Sequence, residues 1–351
     1  MKRRNKILIA LLGCVVALCG AGFAWFKTNT ETVLAWTVER QFKATLEAQQ
    51  VDDSRFEILF CGTGSPNFQA DRGQPCTAII AAGKLFVFDS GQGAAQRLQK
   101  FQAPLTKLSA VFITHHHSDH ITGVNDVLHN SWLFGRQQAV TLYGPPGTQA
   151  LLDGTLMALD EDLQERSKTI GAEYEQSVDA MGKVVEFEAT GYGLVPVYEQ
   201  DGLKISAFAV EHPSWSHAYG YKVEYRGKTV VISGDTRYSP NLVRHSQDAD
   251  VLIHEVVNVS MMKTIASVLR DSGSSAVDPD RLAIITSVHT STDDLAKVAT
   301  EANVKKLVLT HLIPSIPANS LVEGMFIDGM DDIYDRDIQV ARDGTRIVVA
   351  E

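Results

Sequence analysis

Thr114-His115-His116-His117-Ser118-Asp119-His120 places four imidazoles and a carboxylate within six consecutive positions. Each imidazole needs a hydrogen-bond partner when buried, so such a cluster makes poor core material. It suits borderline metal ions such as zinc, which take neutral imidazole nitrogen and carboxylate oxygen. Three further candidates follow apolar runs that read as strands. His212 follows Ile205 to Glu211 and precedes Pro213, which forces an extended or turning backbone. Asp235 follows Val230-Val231-Ile232-Ser233-Gly234, and a carboxylate there can bridge two cations. His311 follows Leu307-Val308-Leu309-Thr310. Strands of two sheets that stop at such residues aim ligands at one edge, where their geometry is held closely.

His115-x-His117-x-Asp119-His120 after a strand resembles the signature of the metallo-β-lactamase superfamily. The resemblance implies an αβ/βα four-layer sandwich carrying two metal ions. It assigns His115, His117 and His212 to one ion and Asp119, His120 and His311 to the other, with Asp235 shared. Zinc is the expected metal, with manganese and iron left open. His116 should point away from its neighbours and is read as a spacer. Ser233-Gly234-Asp235-Thr236-Arg237, Leu252-Ile253-His254-Glu255 and His289-Thr290-Ser291 are similar to the ribonuclease Z branch and its arylsulfatase-like relatives. In that branch the histidine matching His289 donates a proton to the leaving group, supported by residues matching His254 and Glu255. The expected catalytic residues are therefore His289, Asp119 and Asp235.

The elements that must position these residues are short strands. Phe56 to Phe60, Thr77 to Ile80, Leu85 to Phe88 and Val111 to Ile113 are apolar runs bounded by turn residues. Gly123 is expected to let the chain turn after the histidines. Gly62-Thr63-Gly64 is read with the family's first turn, because it lacks the lysine and helix of a phosphate loop. Asp89 is either the N-cap of a following helix or a residue that orients a metal-binding histidine. From Ala150 to Lys183 eight acidic residues face only Arg166, Lys168 and Lys183, which reads as a helical, solvent-facing insertion near the site's mouth. No fixed repeat or low-complexity linker divides residues 54 to 351, so they are expected to form one domain.

The N-terminus reads differently. Lys2, Arg3, Arg4 and Lys6 precede an uncharged run from Ile7 to Phe26, long enough for a helix to cross a bilayer. Residues 1–27 are expected to be a signal peptide or membrane anchor, and 28–53 a helical stalk. Leu11-Leu12-Gly13-Cys14 is an imperfect lipoprotein box, so export to a periplasmic or extracytoplasmic space is expected, with anchoring left open. The formal net charge is −10, and Lys2, Arg3, Arg4, Lys6 and Lys27 leave the rest of the chain at −15. Such a domain repels polyanions, so nucleic acid is not the expected partner. A homodimer stays open. Cys61 and Cys76, the two cysteines beyond the apolar run, form either one disulfide or two free thiols.

Together these features lead to an exported, dinuclear zinc hydrolase for a sulfate ester or small phosphodiester. Water activated between the two cations would attack the ester, and His289 would protonate the departing oxygen. A ribonuclease Z-like tRNA endonuclease or phosphodiesterase, or a lactonase, is the alternative. A diiron redox protein is a reading from another class, although such a site resembles His-x-Glu-x-Asp and position 117 is His. A non-catalytic binding module is another, although no ligand position is lost.

Overall fold

The computed structural model describes residues 18–170, 181–213, 215–273 and 279–350. The chain divides into two compact units, Met1–Gln50 and Val51–Glu351. In the first, residues 18–28 are helical and a second helix spans Thr30–Ala48. This second helix leaves Leu34, Trp36, Val38, Phe42 and Leu46 exposed. Most of the expected apolar run lies in residues 1–17, outside the described residues. Among the described residues no helix is long and apolar enough to cross a membrane.

The second unit holds two sheets of seven strands. The first is ordered β14-β1-β2-β3-β4-β5-β6: β1 (Phe56–Gly62), β2 (Cys76–Ala81), β3 (Lys84–Phe88), β4 (Leu108–Phe112), β5 (Thr141–Gly144), β6 (Lys183–Glu186) and β14 (Arg346–Ala350). The second is ordered β13-β12-β11-β10-β9-β8-β7: β7 (Val195–Gln200), β8 (Leu203–Ala209), β9 (Tyr219–Tyr225), β10 (Lys228–Ile232), β11 (Val251–Val257), β12 (Lys306–Ile313) and β13 (Asp337–Val340).

Side-chain alternation explains the layering. In β3, Leu85 and Val87 pack towards the helices while Phe86 and Phe88 pack towards the other sheet. A strand covered on both faces reads as one continuous apolar run. The core between the sheets is aromatic, with Phe88 stacked on Phe112 at 4.8 Å and Phe112 on Tyr143 at 5.0 Å. Helices Ala94–Lys100, Val124–Leu133 and Thr148–Ile170 cover the outside of the first sheet, and Pro240–His245, Thr292–Glu301 and Ser320–Phe326 that of the second. The result is the αβ/βα sandwich expected.

One expectation about these layers is corrected. Helix Thr148–Ile170 is no solvent-facing insertion, because its Leu152 and Leu163 are buried in the core of the first sheet's outer face. Asp153, Asp160, Glu161 and Glu165 are exposed, Asp162 meets His129 of the neighbouring helix at 2.7 Å, and residues 171–180 lie outside the described set. The open question about the cysteines is resolved: Cys61 and Cys76 are joined in a disulfide across β1 and β2, with Cα atoms 5.0 Å apart.

Candidate metal centre

Strands β3 to β6 run parallel, as do β10 to β13. The candidate residues gather at the carboxyl ends of these strands, where open α/β sheets present loops rather than ladders. His115 lies three residues beyond the end of β4, and Ser118–Ile121 forms a single helical turn that carries Asp119 and His120. Gly123 has φ −97°, so no left-handed turn requires it. A Cβ there would stand 2.1 Å from Gly91 O, and close backbone approach is what its lack of side chain permits. Gly234, after β10, does need its freedom: φ is +62° and a Cβ would meet Tyr219 O at 2.5 Å.

His212 lies in a loop, since β8 ends at Ala209. His311 differs from expectation more clearly. Strand β12 continues through it to Ile313, and the ladder to β11 skips from Thr310 to Leu312. His311 is the extra residue of that bulge, with φ +45°, and the bulge re-aims its side chain inward.

These elements bring all seven candidates together. His115, His117, His212 and Asp235 have potential ligand atoms within 4.8 Å of one another, as do Asp119, His120 and His311. His115 Nε2 is 2.8 Å from His117 Nδ1, which is 3.4 Å from His212 Nε2. Asp235 Oδ2 lies 3.7 Å from His115 Nε2, 3.3 Å from His120 Nε2 and 3.5 Å from His311 Nε2, between the two groups. His311 Nε2 approaches Asp119 Oδ2 at 3.3 Å. His116 stands apart, its Nε2 at 3.1 Å from Thr148 Oγ1.

Asp89 resolves in favour of its orienting role, because the neighbouring helix begins only at Ala94 with Gly93 as its cap. Its carboxylate accepts from His120 Nδ1 at 2.7 Å and from Thr114 N and Oγ1, each at 2.8 Å. With Nδ1 donating, His120 Nε2 keeps its lone pair, and that atom is buried with no hydrogen-bond partner in the chain. Asp235 Oδ1 is likewise buried and unpartnered. Lone pairs crowded at 3.3 to 3.7 Å repel unless a proton or a cation lies between them, and the His/Asp donor set fits a metal pair. Burial holds His115 well below the usual imidazole range, with the nearby His120 charge adding to it. Burial acts the same way on His120, but Asp235 and Asp89 override it and raise its pKa well above the usual value, so a proton and a cation compete for Nε2.

A second constellation adjoins the first. His289 Nδ1 lies 3.2 Å from Glu255 Oε2, and its ring centre is 5.7 Å from that of His212 and 5.6 Å from that of His311. Glu255, 1% exposed, also accepts from Thr290 N at 2.9 Å and Thr236 N at 3.4 Å. Burial disfavours the charged imidazole of His289, but the Glu255 carboxylate outweighs it and pushes the pKa up to about 9. His254, expected to support His289, instead points its Nδ1 at the Glu255 backbone carbonyl. Sequence reasoning missed Thr114 and Trp215. The Thr114 hydroxyl lies between Asp89 and His115 Nδ1, and the Trp215 indole N–H donates to His117 Nε2. With Nδ1 facing His115 and His212, His117 would carry its proton on Nε2 were a cation held there, and would then no longer accept from Trp215.

Comparison with known proteins agrees with this geometry. Residues 85–312 match the β-lactamase superfamily domain family. A ribonuclease Z of Mycolicibacterium paratuberculosis is 32% identical over 265 residues, covering 75% of this chain and 88% of that protein. Among solved structures, the short form of human tRNase Z superposes with a TM-score of 0.60 at 20% identity, covering 84% of this chain and 100% of that one. The metallo-β-lactamase-fold protein YhfI of Bacillus subtilis gives 0.58 at 19%, covering 84% and 99%. With the fold, the paired His/Asp clusters and this identity in agreement, the chain belongs to the β-lactamase superfamily, in the ribonuclease Z branch of its metal-dependent ester hydrolases.

Proposed function

We propose that the protein hydrolyses phosphodiesters, with two zinc ions held by His115, His117 and His212, by Asp119, His120 and His311, and by Asp235 between them. The observation that carries this reading is the His289–Glu255 pair set beside both clusters, in a chain 32% identical to a protein named ribonuclease Z. The comparisons favour the ribonuclease Z-like phosphodiesterase alternative over the exported sulfate-ester hydrolase expected first. When bound, the cations would supply a water acidic enough to ionise near neutral pH and neutralise charge on the ester. The chain's own residues do the rest. Asp89 and Thr114 fix the His115 and His120 rings, and Glu255 holds His289 by Nδ1, leaving Nε2 to protonate the departing alkoxide.

The acidity of the chain favours small phosphodiesters over folded RNA. Export belongs to the same reading: the basic N-terminus with its apolar run supports it, and a disulfide suits an oxidising compartment. Purified, zinc-loaded protein is assayed with a bis-aryl phosphodiester, an aryl sulfate, a lactone and a precursor tRNA. Turnover of the phosphodiester is expected; turnover confined to the sulfate or the lactone would overturn the proposal, and cleavage of precursor tRNA alone would reverse the preference for small esters. Alkaline phosphatase fused after Lys27 should be active, and an inactive fusion would remove export.

A further inference from the structure

Five side chains at the metal centre form one hydrogen-bonded chain, and the chemistry of its two ends fixes where each proton in it sits. Trp215 can only donate, and its indole N–H goes to His117 Nε2. A ring nitrogen that accepts carries no proton, so His117 is a neutral imidazole with its one proton on Nδ1. That proton faces His115 Nε2 at 2.8 Å, with His212 Nε2 farther off at 3.4 Å. At the other end the Asp89 carboxylate accepts the single hydroxyl proton of Thr114 at 2.8 Å. Thr114 Oγ1 therefore accepts from His115 Nδ1 at 3.0 Å, and His115 Nε2 is left with its lone pair.

The two neighbouring histidines are thus set oppositely. His115 offers Nε2 to a cation as it stands. His117 carries a proton on Nδ1, the atom that faces His115 and His212, and can offer it only if that proton is exchanged for one on Nε2. Nε2 is the atom to which Trp215 donates, and two N–H groups cannot face each other there. The loop between β8 and β9 puts the indole in this place. Val210 N closes that loop onto Ala218 O at 3.0 Å, and Trp215 N donates to His212 O at 2.9 Å, so His212 and the indole belong to one turn. The indole stands edge-on to His117 with ring centres 4.8 Å apart, and 6.0 Å from the ring of His115. His115 and His212 are buried while His117 and Trp215 are half-buried, so their mutual bond is the part of this group nearest solvent.

We propose that Trp215 is a positioning residue acting through His117: its N–H holds the ring in the tautomer that withholds Nδ1, and so sets the cation affinity of the His115/His117/His212 group. The inference rests on that group being a metal site and concerns how tightly it binds. The exchange is neutral overall, because His117 loses a proton at Nδ1, gains one at Nε2 and leaves the Trp215 N–H to water. One neutral hydrogen bond, forfeited on binding, corresponds to about a three- to tenfold loss of affinity.

Zinc affinities of the full-length wild type and of Trp215→Phe are measured by chelator competition. The variant keeps an aromatic ring but has no N–H. It should bind one of two zinc ions about three- to tenfold more tightly and the other unchanged. A side chain that merely supports the loop would give looser binding when replaced, so looser or unchanged binding would overturn the proposal. The tautomer is read in the wild type, whatever the variant does, from the ring nitrogens of 15N-histidine-labelled protein. The His117 proton should lie on Nδ1 in chelator-treated protein and on Nε2 once zinc is added. A proton on Nε2 under both conditions would overturn the role of Trp215 while leaving the metal site intact. Failure of the wild type to bind zinc at all would remove both.

Discussion

At the scale of single residues, the site separates groups that could hold cations from groups that could move protons. His289 could also join Asp235 and His311 around a cation, and it is assigned to the second set because its Nδ1 is engaged by Glu255. His289→Ala should lower kcat on an alkyl phosphodiester by roughly a hundredfold or more, the usual contribution of a general acid. A nitrophenolate leaves without protonation, so the loss on nitrophenyl esters should be small. Metal content, measured by elemental analysis, should be unchanged; a lost cation would show that His289 is a ligand. Asp89 acts one step farther out. Asp89→Ala removes the acceptor that fixes His120, and affinity for one of two cations should fall about 10- to 100-fold in chelator competition. Equal affinity for both cations would mean that His120 needs no such support. These roles differ in legibility. A histidine cluster announces metal chemistry by type and spacing alone, whereas Thr114 and Trp215 acquire meaning only when Asp89 and His117 are brought against them.

At the scale of elements, positions are set by irregularities that composition does not display. The apolar runs were readable as strands, because a sheet covered on both faces needs continuous apolar sequence. The bulge at His311 was not readable: Leu307 to Ile313 gives the same pattern with or without an extra residue in the ladder. The reach of helix Thr148–Ile170 was obscured by its eight-acid neighbourhood, although Leu152, Leu156, Leu159 and Leu163 lie at helical spacing and pack inward. The turn after β10 is the most constrained of these irregularities. Gly234→Ala would strain a left-handed residue and drive a methyl group into Tyr219 O and Thr114. About 1–3 kcal/mol of stability should be lost in urea unfolding, with weakened binding of added zinc. Unchanged stability would show that the turn relaxes freely; intact metal affinity would show that Asp235 keeps its place without it.

At the scale of the whole molecule, the far edge of the second layer bears on stability but not on the metal site. Tyr334 is 2% exposed and donates its hydroxyl to Val304 O at 3.0 Å, beneath the helix Thr292–Glu301 and strand β12. Burial disfavours the phenolate, Arg336 partly relieves this, and Asp337 and Asp335 oppose ionisation, so the pKa is pushed up to about 12. The folded value lies above the unfolded value of about 10, so the folded state holds the proton more tightly. Its stabilising contribution is complete below pH 10 and is lost as pH rises towards 12. Tyr334→Phe cannot ionise; it sacrifices one hydrogen bond at every pH, a cost of about 1 kcal/mol, but removes this alkaline component. Urea midpoints of wild type and variant should therefore approach each other from a lower starting value for the variant and cross between pH 9 and pH 11.5. Parallel declines over that window would place the alkaline sensitivity elsewhere, since only a group ionising in one state and not the other makes stability depend on pH.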